Sequence, residues 1–131
     1  MHDALNKRSH DIVIAGESDL GADTIYSLQL PAGSWDAPDI KPLEAVLAPL
    51  KIMASSAPAE EGGSDVEDIH GAGVPVLALN QDASRYFDYH HSQDDTLAIV
   101  DPVQLRQNVA AWAATLSVLA DSHFDFRKDG K

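Results

Sequence analysis

Short apolar runs alternate with amphipathic segments along the chain, a pattern that predicts stacked α and β layers. Ile12-Val13-Ile14-Ala15, ended by Gly16, reads as a strand buried on both faces. Residues 24–30, closed by Pro31, read as a second strand. Residues 39–50 place Ile40, Leu43, Val46, Leu47 and Leu50 at helical spacing, with Pro42 confined to the first turn. Lys51-Ile52-Met53-Ala54 reads as a short strand, and the small, polar, Gly-rich residues 55–64 as a surface loop. Residues 65–70 predict a short helix stopped by Gly71 or Gly73.

Residues 74–79 form the strongest strand signal, with Asn80 and Gln81 ending it. Residues 80–95 then make a connection with no evident element of its own, and loops of that length in compact domains are functional or disordered. The last element is the clearest. Asp101 is a natural N-cap, Pro102 fits the first helical position, and Gln104 completes a capping box. Leu105, Val109, Trp112, Leu116 and Leu119 then make a core-facing stripe along a helix ending near Ala120. No internal repeat interrupts this order.

Composition narrows the function classes. The chain has 131 residues, 44% hydrophobic and 23% charged, which fits one globular domain or a piece of one. Its net charge of −12, with no basic run, argues against a nucleic-acid or anionic-membrane partner. There is no cysteine, so disulfides, thiolate metal sites and a Cys nucleophile are excluded. No apolar run approaches the roughly 18 residues of a bilayer span, and residues 1–10 lack the apolar core of a signal peptide. Any metal must be held by carboxylates and the 6 histidines.

Two loops offer that chemistry, Glu17-Ser18-Asp19 and Asp88-Tyr89-His90-His91, and each follows a predicted buried strand. Ligands of open α/β sheets gather beyond the carboxyl ends of the strands, where carboxylate and imidazole groups can converge on a zinc ion. An Asp after a strand equally serves as a turn or helix cap, and an adjacent His pair as a surface feature. Spacing alone leaves both readings open. His10 and His70 read as surface residues, and His2 and His123 lie near the termini.

A longer string decides more. Gly62-Gly63-Ser64-Asp65-Val66-Glu67-Asp68-Ile69, then Ala72-Gly73-Val74-Pro75-Val76-Leu77, then Tyr86-Phe87-Asp88-Tyr89-His90-His91-Ser92-Gln93-Asp94-Asp95-Thr96-Leu97 resembles metallopeptidase family 28, the co-catalytic dizinc exopeptidases. The doubled His before Ser-x-x-Asp-Thr, the Asp101-to-Trp112 segment and Glu17-Ser18-Asp19-x-Gly21 are most similar to its carboxypeptidase-Q-like branch. The resemblance runs through residues 11–120 and covers the C-terminal portion of the family's catalytic domain.

The resemblance implies an α/β three-layer sandwich with a mostly parallel mixed sheet, incomplete at its N-terminal side. It implies that Asp19 matches a terminal carboxylate ligand of one zinc and His91 the imidazole ligand of the other. His90 matches a position facing substrate, where it polarises the scissile carbonyl or simply packs. Asp65 falls where the Gly-rich segment approaches substrate, or caps its own short helix. Asp94 or Asp95 either holds the His91 imidazole from behind or caps the turn into Thr96. The family's His-x-Asp pair and adjacent Glu-Glu pair precede the Asp19 segment, and only 18 residues precede Asp19 here. Glu60-Glu61 comes after Asp19 and reads as a solvated acidic turn.

The expectation is therefore a zinc-exopeptidase segment with one ligand for each of two metals, no catalytic base, a peptide substrate in the intact enzyme and no turnover alone. The alternative is a non-catalytic binding module on the same scaffold. Self-association through an exposed sheet edge is a further expectation. Export is expected from the family.

Overall fold

The computed structural model describes residues 9–128; His2 and residues 1–8 of the N-terminal stretch lie outside them. Strand β1 (Ile25–Gln29) is the middle of a three-stranded sheet, flanked by β2 (Met53–Ala54) and β3 (Ala78–Gln81). β1 runs parallel to β2 and antiparallel to β3, with an irregularity between Ile25 and Ser27. A single parallel bridge, Ala15 to Val76, adds a fourth chain segment beside the approach to β3. Helices α1 (Leu43–Leu47), α2 (Glu67–Gly71), α3 (Tyr86–Tyr89) and α4 (Pro102–Asp121) complete an α/β fold with a mixed sheet.

The core joins both layers. Ile25, Leu28 and Leu30 from the β1 region meet Ile40, Leu43 and Leu47 from the α1 region, all essentially solvent-free. Burying each such side chain stabilises the fold by about 1.5–3 kcal/mol. The helix expected over residues 39–50 is shorter than its apolar spacing suggests. Pro49 has no N–H to donate, so α1 gives way to a 3-10 turn (Ala48–Leu50), and Lys51 at φ 61° ends it. Ile40, Leu43 and Leu47 are buried as expected, whereas Val46 is exposed.

The first apolar run behaves differently from its pattern. Only Ala15 pairs, through Ala15 N–H to Pro75 O (2.9 Å) and Leu77 N–H to Ala15 O (2.8 Å), and Val13 faces solvent. Arg127 holds this segment to the body, donating to the carbonyls of Ser9, Ile12 and Gly73. Val74, Val76 and Leu77 are buried, but Asn80 and Gln81 belong to β3 rather than ending it. Asn80 earns its place by donating across the sheet to Ser27 Oγ and Gln29 Oε1. The connection over residues 80–95 contains α3, a single turn. The short helix over residues 64–71 forms as a 3-10 turn (Ser64–Val66) leading into α2, and Gly73 at φ 87° accepts the left-handed turn beyond it.

α4 forms where the capping signals put it, with Asp101 Oδ1 accepting from Val103 N–H at 2.7 Å. The capping box does not form, since Gln104 Oε1 is buried without a hydrogen-bond partner. The larger correction concerns its face. Leu105, Val109 and Leu116 are 42%, 61% and 49% exposed, and only Leu119 of the expected stripe is fully buried. Asn108, Ala111 and Thr115 are buried instead.

The reason is hydrogen bonding. Gln107 accepts from Ile25 N–H (3.0 Å) and donates to the carbonyls of Ile25 (2.7 Å) and Leu50 (3.2 Å). Asn108 donates to Asp23 O (2.9 Å) and accepts from Gln81 Nε2 (2.7 Å). Leaving one such buried polar group unpaired costs about 1–3 kcal/mol, so several together outweigh the fuller burial of three half-exposed apolar side chains.

Candidate metal and substrate site at one rim of the sheet

Ala15 and Val76 lie on parallel chains, so both chains leave the sheet at the same rim. Gly16 makes that exit possible. A Cβ there would sit 2.9 Å from the Leu77 carbonyl oxygen. The loop after Gly16 carries Glu17 and Asp19; the connection after β3 carries α3 and then His90 and His91.

The two loops enclose a cavity of about 330 Å³ with Asp19, Arg85, Tyr86, His90, His91 and Asp95 among its walls. Asp19 and His91, 72 positions apart in sequence, therefore share one pocket. Asp19 and Leu20 also form one wall of a larger neighbouring cavity of about 770 Å³, whose other side carries Glu60 and Glu61 on their exposed loop. Asp65 lines neither cavity, and it lies inside the 3-10 turn Ser64–Val66, whose N-cap is Gly63, rather than capping it. Asp95 lines the smaller cavity whereas Asp94 does not.

The histidine pair is held by aromatic contact. The His90 and His91 rings stack at 3.8 Å, and His90 also lies 4.6 Å from Tyr86. His91 adopts φ 56°, a left-handed conformation that costs a non-glycine residue about 1–2 kcal/mol. Burial, and then the Asp19 and Asp95 charges, push the Tyr86 phenol above its ordinary range. His70 lies elsewhere, its Nδ1 2.8 Å from Val74 O at the end of α2.

Glu17 is a functional group that motif reading left without a role. Its Oε1 accepts from Ser64 N–H at 2.8 Å and its Oε2 from Asp65 N–H at 2.6 Å. Two N–H groups that open a helical stretch are thereby capped by a carboxylate some 47 residues away. Gly63, at φ 114°, passes directly beneath; a Cβ there would lie 2.0 Å from Glu17 Cγ. Nothing in the local sequence announces this pairing, although Gly62-Gly63 signals close approach.

Zinc needs about four ligands to be held firmly. Among the described residues no group of three or more His, Cys, Asp or Glu side chains comes together as a metal shell. Asp19 and His91 are donors of the right chemistry, but two of them do not close a site. The residues present do not fit a resident zinc ion by themselves.

No family model matches the chain. It is 32% identical over 115 residues to carboxypeptidase Q of Xenopus laevis, covering 88% of this chain and 24% of that protein. It is 34% identical over 105 residues to carboxypeptidase Q of Rattus norvegicus, covering 80% of this chain and 22% of that one. Among solved structures, a peptidase M28 precursor from Shewanella amazonensis superposes with a TM-score of 0.78 and 38% identity, covering 95% of this chain and 29% of that chain. The chain thus spans about a quarter of the length of the relatives it matches.

Proposed function

Because the chain belongs to metallopeptidase family 28, corresponding to the C-terminal part of its catalytic domain, we propose that it carries part of the active site of a zinc-dependent exopeptidase. Asp19 and His91 are the proposed metal ligands, one for each of two ions, and His90 the group facing a peptide substrate. The observation that supports this reading is the meeting of Asp19 and His91 at the walls of one cavity. Asp65 is kept only as a flank of the Gly-rich turn, since it borders neither cavity.

The same inventory predicts inactivity in isolation. Two donors bind zinc weakly, and among the described residues no group of three or more His, Cys, Asp or Glu side chains comes together to complete a metal site. The purified 131-residue chain, given zinc and offered aminoacyl anilides and dipeptides, is expected to show no turnover. Turnover abolished by Asp19→Ala would overturn the inventory of missing groups.

A second reading, a non-catalytic binding module on the exopeptidase scaffold, is favoured by the apolar outer stripe of α4. That stripe, rather than a sheet edge alone, is the proposed surface for self-association. Export is carried over from the family. No helix among the described residues is long and apolar enough to cross a membrane.

A further inference from the structure

We infer that the outer face of α4 seats a second copy of this chain, whose own α4 packs antiparallel to it about a two-fold axis at Ala113. The inference rests on the reading of that stripe as a self-association surface and adds to it the partner, its direction and its register.

Arg106 and Asp121 are the two charged residues among the 20 of α4, whereas 23% of the whole chain is charged. Successive helical residues turn by about 100°, so Val109, Ala113, Leu116 and Ala120 come round to one side, opposite buried Ala111 and Thr115. Leu105 flanks that exposed strip on one edge, and Arg106 and Asp121 flank it on the other. A helix that meets only water ordinarily carries charged and polar residues over its outer face. This one is apolar there between its two charged positions.

Charge fixes the partner and its direction. A net charge of −12 sets two copies against each other, but no acidic residue lies on α4 before Asp121, so that repulsion is relieved along this face. Arg106 lies as far before the midpoint between Ala113 and Ala114 as Asp121 lies beyond it. A two-fold axis at that point brings Arg106 of each copy beside Asp121 of the other, on the same flank and twice over. Parallel packing would set Arg against Arg and Asp against Asp. Both side chains are exposed, and among the described residues neither joins a salt bridge within its own chain. Ala113, small and central, lets the two axes approach to about 8 Å. Leu116 of one copy then falls at the level between Val109 and Ala113 of the other. A strip about 30 Å long and about 10 Å wide is smaller than a standard interface, so the pair is weak, with a Kd of about 10⁻⁵–10⁻⁴ M.

The test is a charge swap followed by sedimentation equilibrium of the 131-residue chain, up to about 1 mM so that weak pairing is seen. Arg106→Asp and Asp121→Arg are each expected to weaken the dimer about 10-fold, and the two together to restore it. Asp121→Arg is the more telling of the two, since it lowers the net negative charge and would strengthen a non-specific contact. A second measurement uses the absence of cysteine. Ala113→Cys is expected to give a disulfide-linked dimer on mild oxidation, whereas Arg106→Cys, about 20 Å from its twin along the antiparallel pair, is not. Cross-linking through Arg106→Cys alone, or a double swap that fails to restore the dimer, overturns the antiparallel pair and leaves the stripe as a self-association surface. A chain that stays monomeric at every concentration, or a dimer indifferent to Leu116→Lys, overturns both.

Discussion

Replacing Glu17 with Ala removes the carboxylate that accepts from Ser64 N–H at 2.8 Å and Asp65 N–H at 2.6 Å. Both donors stand at the start of a helical stretch, so the loss is that of an N-cap with ionised oxygens, worth about 1–2 kcal/mol where water partly replaces it. For a domain of this size that corresponds to a fall in Tm of about 3–10 °C. Glu17→Gln keeps one acceptor oxygen and should lose about half as much. Gly63→Ala attacks the same clamp from the other side, because its Cβ would meet Glu17 Cγ at 2.0 Å. The two substitutions share one interaction, so Glu17→Ala should cost little in a chain that already carries Gly63→Ala. Circular-dichroism melts give the four corners of that cycle, and amide exchange at Ser64 and Asp65 reports the local loss. An Ala variant that melts within about 1 °C of the parent, with unchanged exchange at those two amides, would refute the clamp.

Asn108→Leu should destabilise by about 1–3 kcal/mol, since it removes one of the acceptors of buried Gln81 Nε2 and one of the two donors to Asp23 O, leaving Gln81 paired with Gly21 O and Asp23 O; a melt within error of the parent would refute the network's role. Val109→Lys and Leu116→Lys, on the exposed stripe of α4, should change stability by less than about 0.5 kcal/mol while reducing any self-association seen by gel filtration. A large drop in Tm would mean that the stripe is packed. The His123 backbone N–H holds the Asp39 carboxyl below its usual range. The folded-state value is therefore depressed, so this contribution is present above the unfolded value near about 3.9 and is lost as pH falls through the folded one. The Tm gap between the parent and Asp39→Asn should be full above about pH 5 and close in stronger acid. A gap independent of pH contradicts that assignment.

Where apolar residues and end signals agreed, the chain could be read directly. Asp101 and Pro102 start α4, Ile25–Gln29 forms a strand, and Ile40, Leu43 and Leu47 are buried. Asp19 and His91, singled out by motif, line one cavity, and the parallel bridge of Ala15 to Val76 that sends both chains to that rim is something no local spacing reveals. What escaped is polar. Periodicity counts carbon and is blind to an amide that stands in for a backbone partner, so it turned α4 toward Leu105, Val109 and Leu116 rather than toward Asn108. Pro49, sitting inside an otherwise regular apolar spacing, likewise shortened α1. Glu17 and Arg85 found their partners across 48 and 62 positions, distances over which composition carries no signal.

The side chain of Gln107 presents an N–H and a carbonyl to the main chain of Ile25 and a further donor to Leu50, in the gap between the beginning of β1 and the residues leading into β2. It acts there as a one-residue substitute for a neighbouring strand. β2 can consequently stay two residues long without leaving the start of β1 bare. An invading segment from another molecule would have to evict a side chain anchored to its own helix before it could zip onto the sheet at that point.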